Sequence, residues 1–492
     1  MEELILNFPH ILESIFEYLD DESLEDCQKV SKEWSDFIRQ RKFYWRRITK
    51  PYQGWKEAVD NVNSGIIQTL GEILLAQKRP CHPIFCAIYL KDIEILAEIS
   101  KLYQDFDFVN NHGNYPIHSA VKTENAEIVE LILSKTVKNK NPPSKKYPNL
   151  TPLHIVASKG NLCIFRLIFS QLEDEIDLDL LKVADGKTPL HLAAQNGHFE
   201  LCQHLLSLVK EKNPRDKKLT TPLDEAAKNG HFEICQLYSK ENVDFRNAIF
   251  LAAINGHLKI CQLSNTNPKN SDGETAFHYA AKYGHAEVCR YFMSLSDDKN
   301  PADEDGETPL HWAATRGYIK ICQLIVEVIE DKNPQDILGK TPLHQAARYG
   351  NIAVCKFFIG ILEEKNPVTE SGWTALHASA SGGNLEAFQL FFEQQNPPDQ
   401  SGETPLHTAV KHSNLEIVEF IIDNVKGDLS LPDIDGRTPL HYAVWEGDLK
   451  ILSKLLTGAN VDINLLKDKD GVTPLDVARM FNFEKILSVL QK

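Results

Sequence analysis

The sequence predicts an all-α chain in which a short opening segment is followed by a solenoid of about thirteen tandem helix pairs. The main observation is the tetrapeptide Thr-Pro-Leu-His, which recurs with a commonest spacing of 33 residues, as stacked repeats require. The opening segment, residues 4–48, has no later counterpart. The tetrapeptides begin at Thr151, Thr188, Thr308, Thr341, Thr404 and Thr438; variants begin at Tyr115, Thr221, Thr275, Thr374 and Thr473, and degenerate units at His82 and Asn247.

Composition narrows the class of protein. The chain has 492 residues, of which 42% are hydrophobic, so it can bury a large core. It lacks a secretory-type start and a run of eighteen apolar residues, so we expect no secretion and no membrane span. The ten cysteines form no C-x-x-C motif and are expected to be reduced, in the cytoplasm and also in the nucleus. A net charge of −16 disfavours nucleic acid as a partner.

The unit that begins at Thr341 illustrates why each repeat should be a helix pair. Thr341 can cap a helix with its hydroxyl, and Pro342 suits the first helical position. Gly350 can adopt the left-handed conformation that ends the helix. A second amphipathic helix follows until Asn366-Pro367 interrupts it. Such a pair cannot bury its apolar side alone and needs neighbours.

This pattern resembles the ankyrin repeat, whose 33-residue period and T-P-L-H-x-A signature it repeats in register. The resemblance implies an ankyrin-repeat solenoid over residues 80–492. Most units carry Lys-Asn-Pro where the family usually has Gly-Ala-Asp-Val-Asn. The units that begin at Thr221 and Asn247 are short, which predicts clipped second helices and an irregular joint there.

Two motifs that suggest ligand binding belong to the repeat instead. Gly-Lys-Thr at 186–188 and 339–341 lacks the upstream glycine of a phosphate loop, because Leu181 and Pro334 stand there. The Asp-rich stretches 303–306 and 433–436 lack the bidentate glutamate of a calcium loop, because Trp312 and Tyr442 stand there. We therefore predict no nucleotide or calcium site.

Histidines and cysteines also follow the repeat. Thirteen of the eighteen histidines occupy either the anchor position or the position after the turn glycine, so we expect them to organise loops by hydrogen bonding. Cys202, Cys235, Cys261, Cys289, Cys322 and Cys355 recur five residues after the turn glycine. Packed helices lie about 8–10 Å apart, too far for a shared zinc ion or a disulfide, so these thiols are expected to form a buried ladder. We predict no catalytic residue, metal or cofactor.

The opening segment reads as two amphipathic helices and a third short one. A module of this size rarely buries a sufficient core alone. The pattern leaves two alternatives: the segment docks on the repeats as a cap, or another protein covers it.

The same segment resembles an F-box, the module that binds the Skp-type adaptor of cullin–RING ubiquitin ligases. The resemblance consists of the Phe8-Pro9 start, paired apolar residues, a polar turn, a Val-Ser pair and the tryptophans at 34 and 45. Phe8 replaces the usual leucine. The positions that the resemblance implies for adaptor binding are Phe8, Pro9, Ile11, Leu12, Ile15, Phe16, Leu19, Leu24, Val30 and Trp34. An ordinary helical cap with similar spacing is the alternative. Residues 49–79 are predicted to form a packed helical connector.

The resemblances together imply a non-catalytic, substrate-recognition subunit of an SCF-type ubiquitin ligase, monomeric apart from that complex. An unknown protein target would bind the ankyrin stack near the residues that precede the turn glycines. These candidates are Lys282, Tyr283, Arg316, Arg348, Tyr349, Lys411, His412 and Trp445. Tyr279, Trp312 and Tyr442 are expected to fill space between repeats. The alternative is an ankyrin-repeat scaffold that tethers proteins without degradation, and an F-box protein of a parasite or virus is a variant of the first reading.

Overall fold

Helix pairs make up the parts of the chain that the computed structural model describes. The described residues are 58–59, 61–62, 65–70, 82–110, 112–147, 149–172, 178, 181–241, 243–393, 396–425, 429–458 and 466–490. They contain helices and two isolated bridges, Lys269 with Thr275 and Val368 with Thr374, and no longer strand. The prediction of an all-α chain is therefore confirmed. The chain divides into two compact units, residues 1–243 and 244–492, which are described separately here.

In the part of the first unit that the structure describes from residue 82 onward, the helices form five pairs. In chain order these are α1 (Pro83–Leu90) with α2 (Ile93–Ser100), α3 (Pro116–Ala120) with α4 (Ala126–Lys135), α5 (Pro152–Lys159) with α6 (Leu162–Phe169), α7 (Pro189–Gln195) with α8 (Phe199–Leu208), and α9 (Pro222–Lys228) with α10 (Phe232–Tyr238). A single 3-10 turn, Val121–Thr123, extends α3.

The second unit continues the same arrangement. Its pairs are α11 (Arg246–Asn255) with α12 (Leu258–Cys261), α13 (Ala276–Tyr283) with α14 (Ala286–Leu295), α15 (Pro309–Arg316) with α16 (Ile319–Val326), α17 (Pro342–Arg348) with α18 (Ile352–Ile361), α19 (Ala375–Gly382) with α20 (Leu385–Phe391), α21 (Pro405–Lys411) with α22 (Leu415–Asn424), α23 (Pro439–Trp445) with α24 (Leu449–Gly458), and α25 (Pro474–Met480) with α26 (Glu484–Leu490). The second helix α12 is clipped to 4 residues, as predicted, whereas α10 has 7 residues, the same length as α20 and α26. The boundary between the two units falls between α10 and α12.

Helix α15 shows how the anchor starts a helix. Thr308 takes an extended conformation as the N-cap residue, and its backbone N–H donates to Nδ1 of His311 at 3.1 Å. Pro309 occupies the first helical position, where a missing N–H costs nothing. At the other end Gly317 adopts φ +78°, the left-handed conformation that closes the helix.

Each unit has two layers of helices. First helices pack on neighbouring first helices, and second helices pack on neighbouring second helices. Small residues allow this close packing in the first layer: Ala313 and Ala314 of α15 and Ala346 and Ala347 of α17 are fully buried. The core therefore runs along each stack, and every pair depends on its neighbours for burial.

Loops between repeats are tied together by backbone hydrogen bonds. The Ile337 N–H donates to the Asp305 carbonyl of the preceding loop tip at 3.0 Å. Within its own tip, Asp336 Oδ1 accepts from the N–H groups of Leu338 and Lys340 at 2.9 and 2.7 Å. The Asp303 and Asp433 carboxylates do the same in their tips, which explains the calcium-like stretches structurally.

The Asn-Pro loops form hydrogen bonds with helices of two consecutive repeats. Asn300 Oδ1 accepts from the N–H of Leu310, near the start of the following helix α15, at 3.1 Å. Lys299 Nζ donates to the carbonyls of Met293 and Ser296 at the end of the preceding helix α14. Five more asparagines accept in the same way, through Oδ1, from a backbone N–H near the start of the next helix. The pairs are Asn141 with Leu153, Asn213 with Leu223, Asn267 with Phe277, Asn333 with Leu343 and Asn396 with Leu406. One loop thus satisfies polar groups of two consecutive repeats.

Residues 65–70, within the predicted connector, are helical, and Ile67 and Leu70 are fully buried. Among the residues that the structure describes, every helix is too short or too polar to cross a bilayer.

Candidate functional site

The candidate target-binding residues lie at the ends of successive first helices in the second unit. Helices α13, α15, α17, α21 and α23 end with Tyr283, Arg316, Arg348, Lys411 and Trp445. Because neighbouring first helices pack side by side, their last turns follow one another along the stack. We call this set the cationic–aromatic row; it consists of Lys282, Tyr283, Arg316, Arg348, Tyr349, Lys411, His412 and Trp445.

Most side chains of the row are exposed. Tyr283, Tyr349 and Trp445 expose 47%, 55% and 45% of their surface. Arg316 and Arg348 are exposed as well. Exposed aromatic and arginine side chains are the types that most often anchor protein interfaces, so the row can bind a protein partner.

Two lysines of the row are partly committed to internal contacts. Lys282 Nζ lies over the ring of Trp312, and Lys411 Nζ lies 4.4 Å from the ring centroid of Tyr442. Lys411 also forms an ion pair with Glu403. The ammonium groups of these two lysines are therefore less available to a binding partner than the sequence alone indicates.

Tyr279, Trp312 and Tyr442 fill space between repeats, as predicted. All three are half-buried. The Tyr279 and Trp312 rings meet edge to face with centroids 5.6 Å apart, and the Tyr442 hydroxyl donates to Asp433 Oδ2 at 2.6 Å. Burial and the bond to Glu274 raise the pKa of Tyr279 well above its usual value.

At α19 the row is interrupted. Ser381 and Gly382 stand where the neighbouring repeats carry large side chains. A Cβ atom on Gly382 would lie 1.7 Å from the Arg348 carbonyl oxygen. The backbones of α17 and α19 therefore approach so closely that only glycine fits at this position.

Two grooves border the row around α17. The first has a volume of about 240 Å³ and is lined by residues that include Lys282, Trp312, Arg316 and Tyr349. The second, of about 420 Å³, reaches from Arg348 to a loop tip.

The second groove adds residues that the sequence analysis missed. Its lining includes Leu338, Lys340 and Trp373. Lys340 and Trp373 each stand directly before an anchor threonine, so the residue that precedes the anchor was the available signal.

Partial burial shifts the pKa values of two titratable side chains in and beside the grooves. Burial, together with the charges of Asp303 and Asp336, raises the pKa of Glu307, whose Oε1 accepts from Gln345 Nε2 at 3.0 Å. Partial burial and the positive charges of Arg348 and Lys411 lower the pKa of His412.

The nine anchor histidines use both ring nitrogens structurally. In α15, Nδ1 of His311 accepts from the Thr308 N–H, so Nε2–H donates to the Lys340 carbonyl in the next loop at 3.1 Å. The side chain is fully buried, and burial lowers its pKa to about 4. The same contact to the following loop is made by His118, His154, His191, His278, His344, His377, His407 and His441.

Histidines after the turn glycine link repeats in the other direction. His285 Nε2 bonds the Ile254 carbonyl of the preceding repeat at 2.8 Å, and His198 and His231 make equivalent contacts to Ser158 and Gln195. The prediction that histidines organise loops is therefore confirmed for these positions.

The six repeated cysteines are buried, as predicted for a hydrophobic ladder. Burial raises the pKa of the Cys322 and Cys355 thiols to about 12. Among the described residues, no three His, Cys, Asp or Glu side chains are placed to hold a metal ion.

Both Gly-Lys-Thr stretches are the starts of repeats. Thr188 and Thr341 are the N-cap residues of α7 and α17, which begin at the following proline.

The ten candidate adaptor-binding residues, all within 8–34, lie outside the described residues.

Comparison with protein families matches both parts of the chain. The model for ankyrin repeats in three copies matches overlapping segments from residue 84 to residue 467. The F-box-like model matches residues 9–51.

Curated relatives match short segments of the chain. The transient receptor potential cation channel subfamily A member 1 of Homo sapiens is 35% identical over 113 residues, which is 23% of this chain and 9% of the channel. Alpha-latrotoxin-Lg1a of Latrodectus geometricus is 34% identical over 111 residues, 22% of this chain and 8% of the toxin. The human NF-kappa-B inhibitor alpha is 26% identical over 126 residues, 25% of this chain and 39% of the inhibitor. The chain thus spans less than half the length of each of these relatives.

The fold, the anchor contacts and the family matches lead to one conclusion. Helix pairs with Thr-Pro-Leu-His starts are stacked through buried histidines, and an F-box-like domain precedes them. Both modules serve protein interaction. The chain belongs to the ankyrin-repeat family and, with its F-box-like domain at residues 9–51, is a protein-interaction adaptor.

Proposed function

We propose that the chain is the substrate-recognition subunit of an SCF-type cullin–RING ubiquitin ligase. The F-box-like residues would bind a Skp-type adaptor, and the repeats would hold a target protein. The observation that carries this proposal is the presence in one chain of an F-box-like domain and of repeats with exposed tyrosine, tryptophan and arginine side chains.

The chain would promote ubiquitination by proximity. Holding a target beside a ubiquitin-charged enzyme raises the effective concentration of its lysines and removes the entropy cost of a bimolecular encounter. The histidines of the repeats already use both ring nitrogens for folding, which fits an adaptor that supplies no acid or base. We place this activity in the cytoplasm and the nucleus.

A second candidate function is a scaffold that holds a partner without degradation. The human NF-kappa-B inhibitor alpha supports it, because this relative, matched over 126 residues, is named for inhibiting another protein. The two functions differ in what residues 9–51 do: in a scaffold they would contribute to folding alone.

Gel filtration of the purified chain with a Skp-type adaptor tests the proposal. We expect wild type to co-elute with the adaptor and Pro9→Ala and Leu12→Asp to lose co-elution. Ile337→Asp is the matched control, because Ile337 is 60% exposed at a loop tip in the repeats.

The control should keep co-elution, and circular dichroism should show that every variant keeps its helix content. If wild type does not bind the adaptor, or if Ile337→Asp weakens binding as much as Leu12→Asp, the scaffold becomes the better reading.

A further inference from the structure

The loop tip between α16 and α17 presents two apolar side chains to solvent. Ile337 and Leu338 are 60% and 55% exposed. Hydrogen bonds from the tip to Asp336 fix its shape, so these side chains do not fold back. The tips on either side carry polar residues instead, Glu304-Asp305 and Glu370-Ser371. An apolar tip between polar tips is suited to contact a partner.

One of the two grooves includes this tip, and the other is lined by the residue that follows Arg348. Leu338 forms one wall of the 420 Å³ groove, together with Trp373 and Arg348. Tyr349, the next residue in the chain, lines the 240 Å³ groove with Arg316. Each groove thus combines an arginine with large aromatic or apolar side chains, the residue types that are enriched at the centres of protein interfaces.

Arginine charge is available in both grooves. Arg316 and Arg348 make no ion pair with any described residue. Of the carboxylates in the lining, Asp399 accepts from the N–H groups of Ser401 and Glu403 in its own turn. Glu307 accepts a hydrogen bond from Gln345. Glu370 is exposed in the second groove. The four cations of the two linings, Lys282, Arg316, Lys340 and Arg348, outnumber the three carboxylates, whereas the whole chain has a net charge of −16.

We propose that these two grooves bind an extended acidic peptide segment of the target, with one bulky apolar side chain against Leu338 and Trp373 and carboxylates on Arg316 and Arg348. Only the statement that the peptide belongs to a target of ubiquitination rests on the proposed function. Guanidinium groups bind carboxylates through paired hydrogen bonds, which gives both affinity and orientation. A nucleic acid is disfavoured because it carries a charge at every nucleotide and would meet the exposed Glu370 carboxylate, whereas a peptide can place a neutral residue there.

Geometry sets the length of the segment. First helices of neighbouring repeats lie about 8–10 Å apart, so the two spacings between three repeats span about 16–20 Å. An extended chain covers about 3.3 Å per residue, so about six residues span this distance.

A displayed library of random peptides about ten residues long, selected against the full chain without any adaptor, tests the proposal. We expect the enriched peptides to carry Asp or Glu on both sides of a Leu, Phe or Trp. Fluorescence anisotropy then measures the affinity of one enriched peptide and of its Glu→Gln counterpart.

Variants of the chain locate the binding. Arg316→Glu and Arg348→Glu should each weaken the peptide at least about tenfold, as expected for the loss of a charge-assisted hydrogen bond. Leu338→Asp should also weaken it. The matched control is Lys320→Glu, an exposed lysine on the second-helix layer, which should leave the affinity unchanged.

Three outcomes would overturn the proposal: no enriched peptide, enrichment without acidic residues, or equal weakening by Lys320→Glu. Displacement of the peptide by a single-stranded oligonucleotide at lower concentration than by the free peptide would point to nucleic acid instead. Since the adaptor is absent, this assay and the co-elution assay fail independently. Peptide binding without adaptor binding would keep this inference and remove the ligase function.

Discussion

The Nζ atom of Lys282 lies 3.9 Å from the centroid of the Trp312 ring in the next repeat. The same Nζ lies 5.8 Å from the ring centroid of Tyr279. An ammonium group over an indole face is the most favourable form of cation–π contact. One residue of the cationic–aromatic row therefore also joins two repeats.

Replacing this lysine should weaken the stack. Lys282→Met keeps the length of the side chain and removes the charge, so we expect a loss of about 0.5–1 kcal/mol in the free energy of unfolding. Urea denaturation measures it, with Lys320→Met on the second-helix layer as the control. Equal effects of the two substitutions would show that the contact with Trp312 contributes nothing.

The anchor histidines should be far more sensitive. His311→Ala leaves the Thr308 N–H and the Lys340 carbonyl without their partner in a buried site, so we expect a loss of about 2–5 kcal/mol. His412→Ala removes an exposed imidazole and should cost less than about 0.5 kcal/mol. Urea unfolding of both variants decides the point, and similar midpoints would contradict the structural role of His311.

Acid should unfold the repeats in a defined pH window. An imidazole in an unfolded chain binds a proton near pH 6.5, whereas burial lowers the pKa of His311 to about 4. Between these two pKa values the unfolded state binds more protons than the folded state. The free energy of unfolding therefore has its full value above about pH 6.5 and falls as the pH drops toward 4. Burial gives the same value of about 4 for His118, His154, His278, His344 and His407.

Each of these histidines should lower the free energy of unfolding by about 1.4 kcal/mol per pH unit in that window. Urea midpoints recorded from about pH 7.5 to about pH 5 measure the slope. A midpoint that stays constant or rises as the pH falls would mean that the buried imidazoles do not control acid stability.

Two glycines provide a matched test of backbone approach. Gly382→Ala places a Cβ where the Arg348 carbonyl oxygen already lies, so we expect a loss of about 1–3 kcal/mol. Gly360→Ala meets no atom within 4 Å inside helix α18, so we expect a gain of about 0.5–1 kcal/mol from the better helix former. Thermal unfolding of both variants should shift in opposite directions. A stabilised Gly382→Ala would contradict the close contact of α17 with α19.

Thiol chemistry should separate the buried ladder from the exposed thiol at 163. Alkylation proceeds through the thiolate, and burial raises the pKa of Cys322 to about 12. We expect iodoacetamide to modify exposed Cys163 in the native chain, and the ladder only in denaturant. Peptide mass spectrometry reads both, and Cys163→Ser is the control. Fast native labelling of Cys322 would contradict its burial.

The sequence was sufficient for the repeat because each anchor residue acts within its own unit or on the adjacent loop. Thr341 and Pro342 begin a helix whatever the neighbouring repeats contain. The clipped helix at 258–261 followed from a count of residues between anchors. Such local constraints are visible in a linear pattern.

The contacts at the surface were harder to predict because long side chains reach residues that are distant in the sequence. The sequence placed Lys411 in the row, but its ion pair with Glu403 depends on how the loop folds over the helix. Leu338 and Trp373 belong to different repeats, and only their packing makes them walls of one groove. The tips recur at a fixed place before each anchor, but that pattern does not indicate which side chains of neighbouring repeats share a groove.

The Asn-Pro loops have a consequence for how this chain can change over generations. Asn300 supplies the acceptor for the helix of the repeat that follows it, so a repeat does not complete its own beginning. A gene rearrangement that cuts inside a helix would leave a buried amide without its acceptor. Recombination between two loops that make this contact would instead exchange whole repeats and keep the contact. The number of repeats could therefore change at these loops without leaving a helix start incomplete.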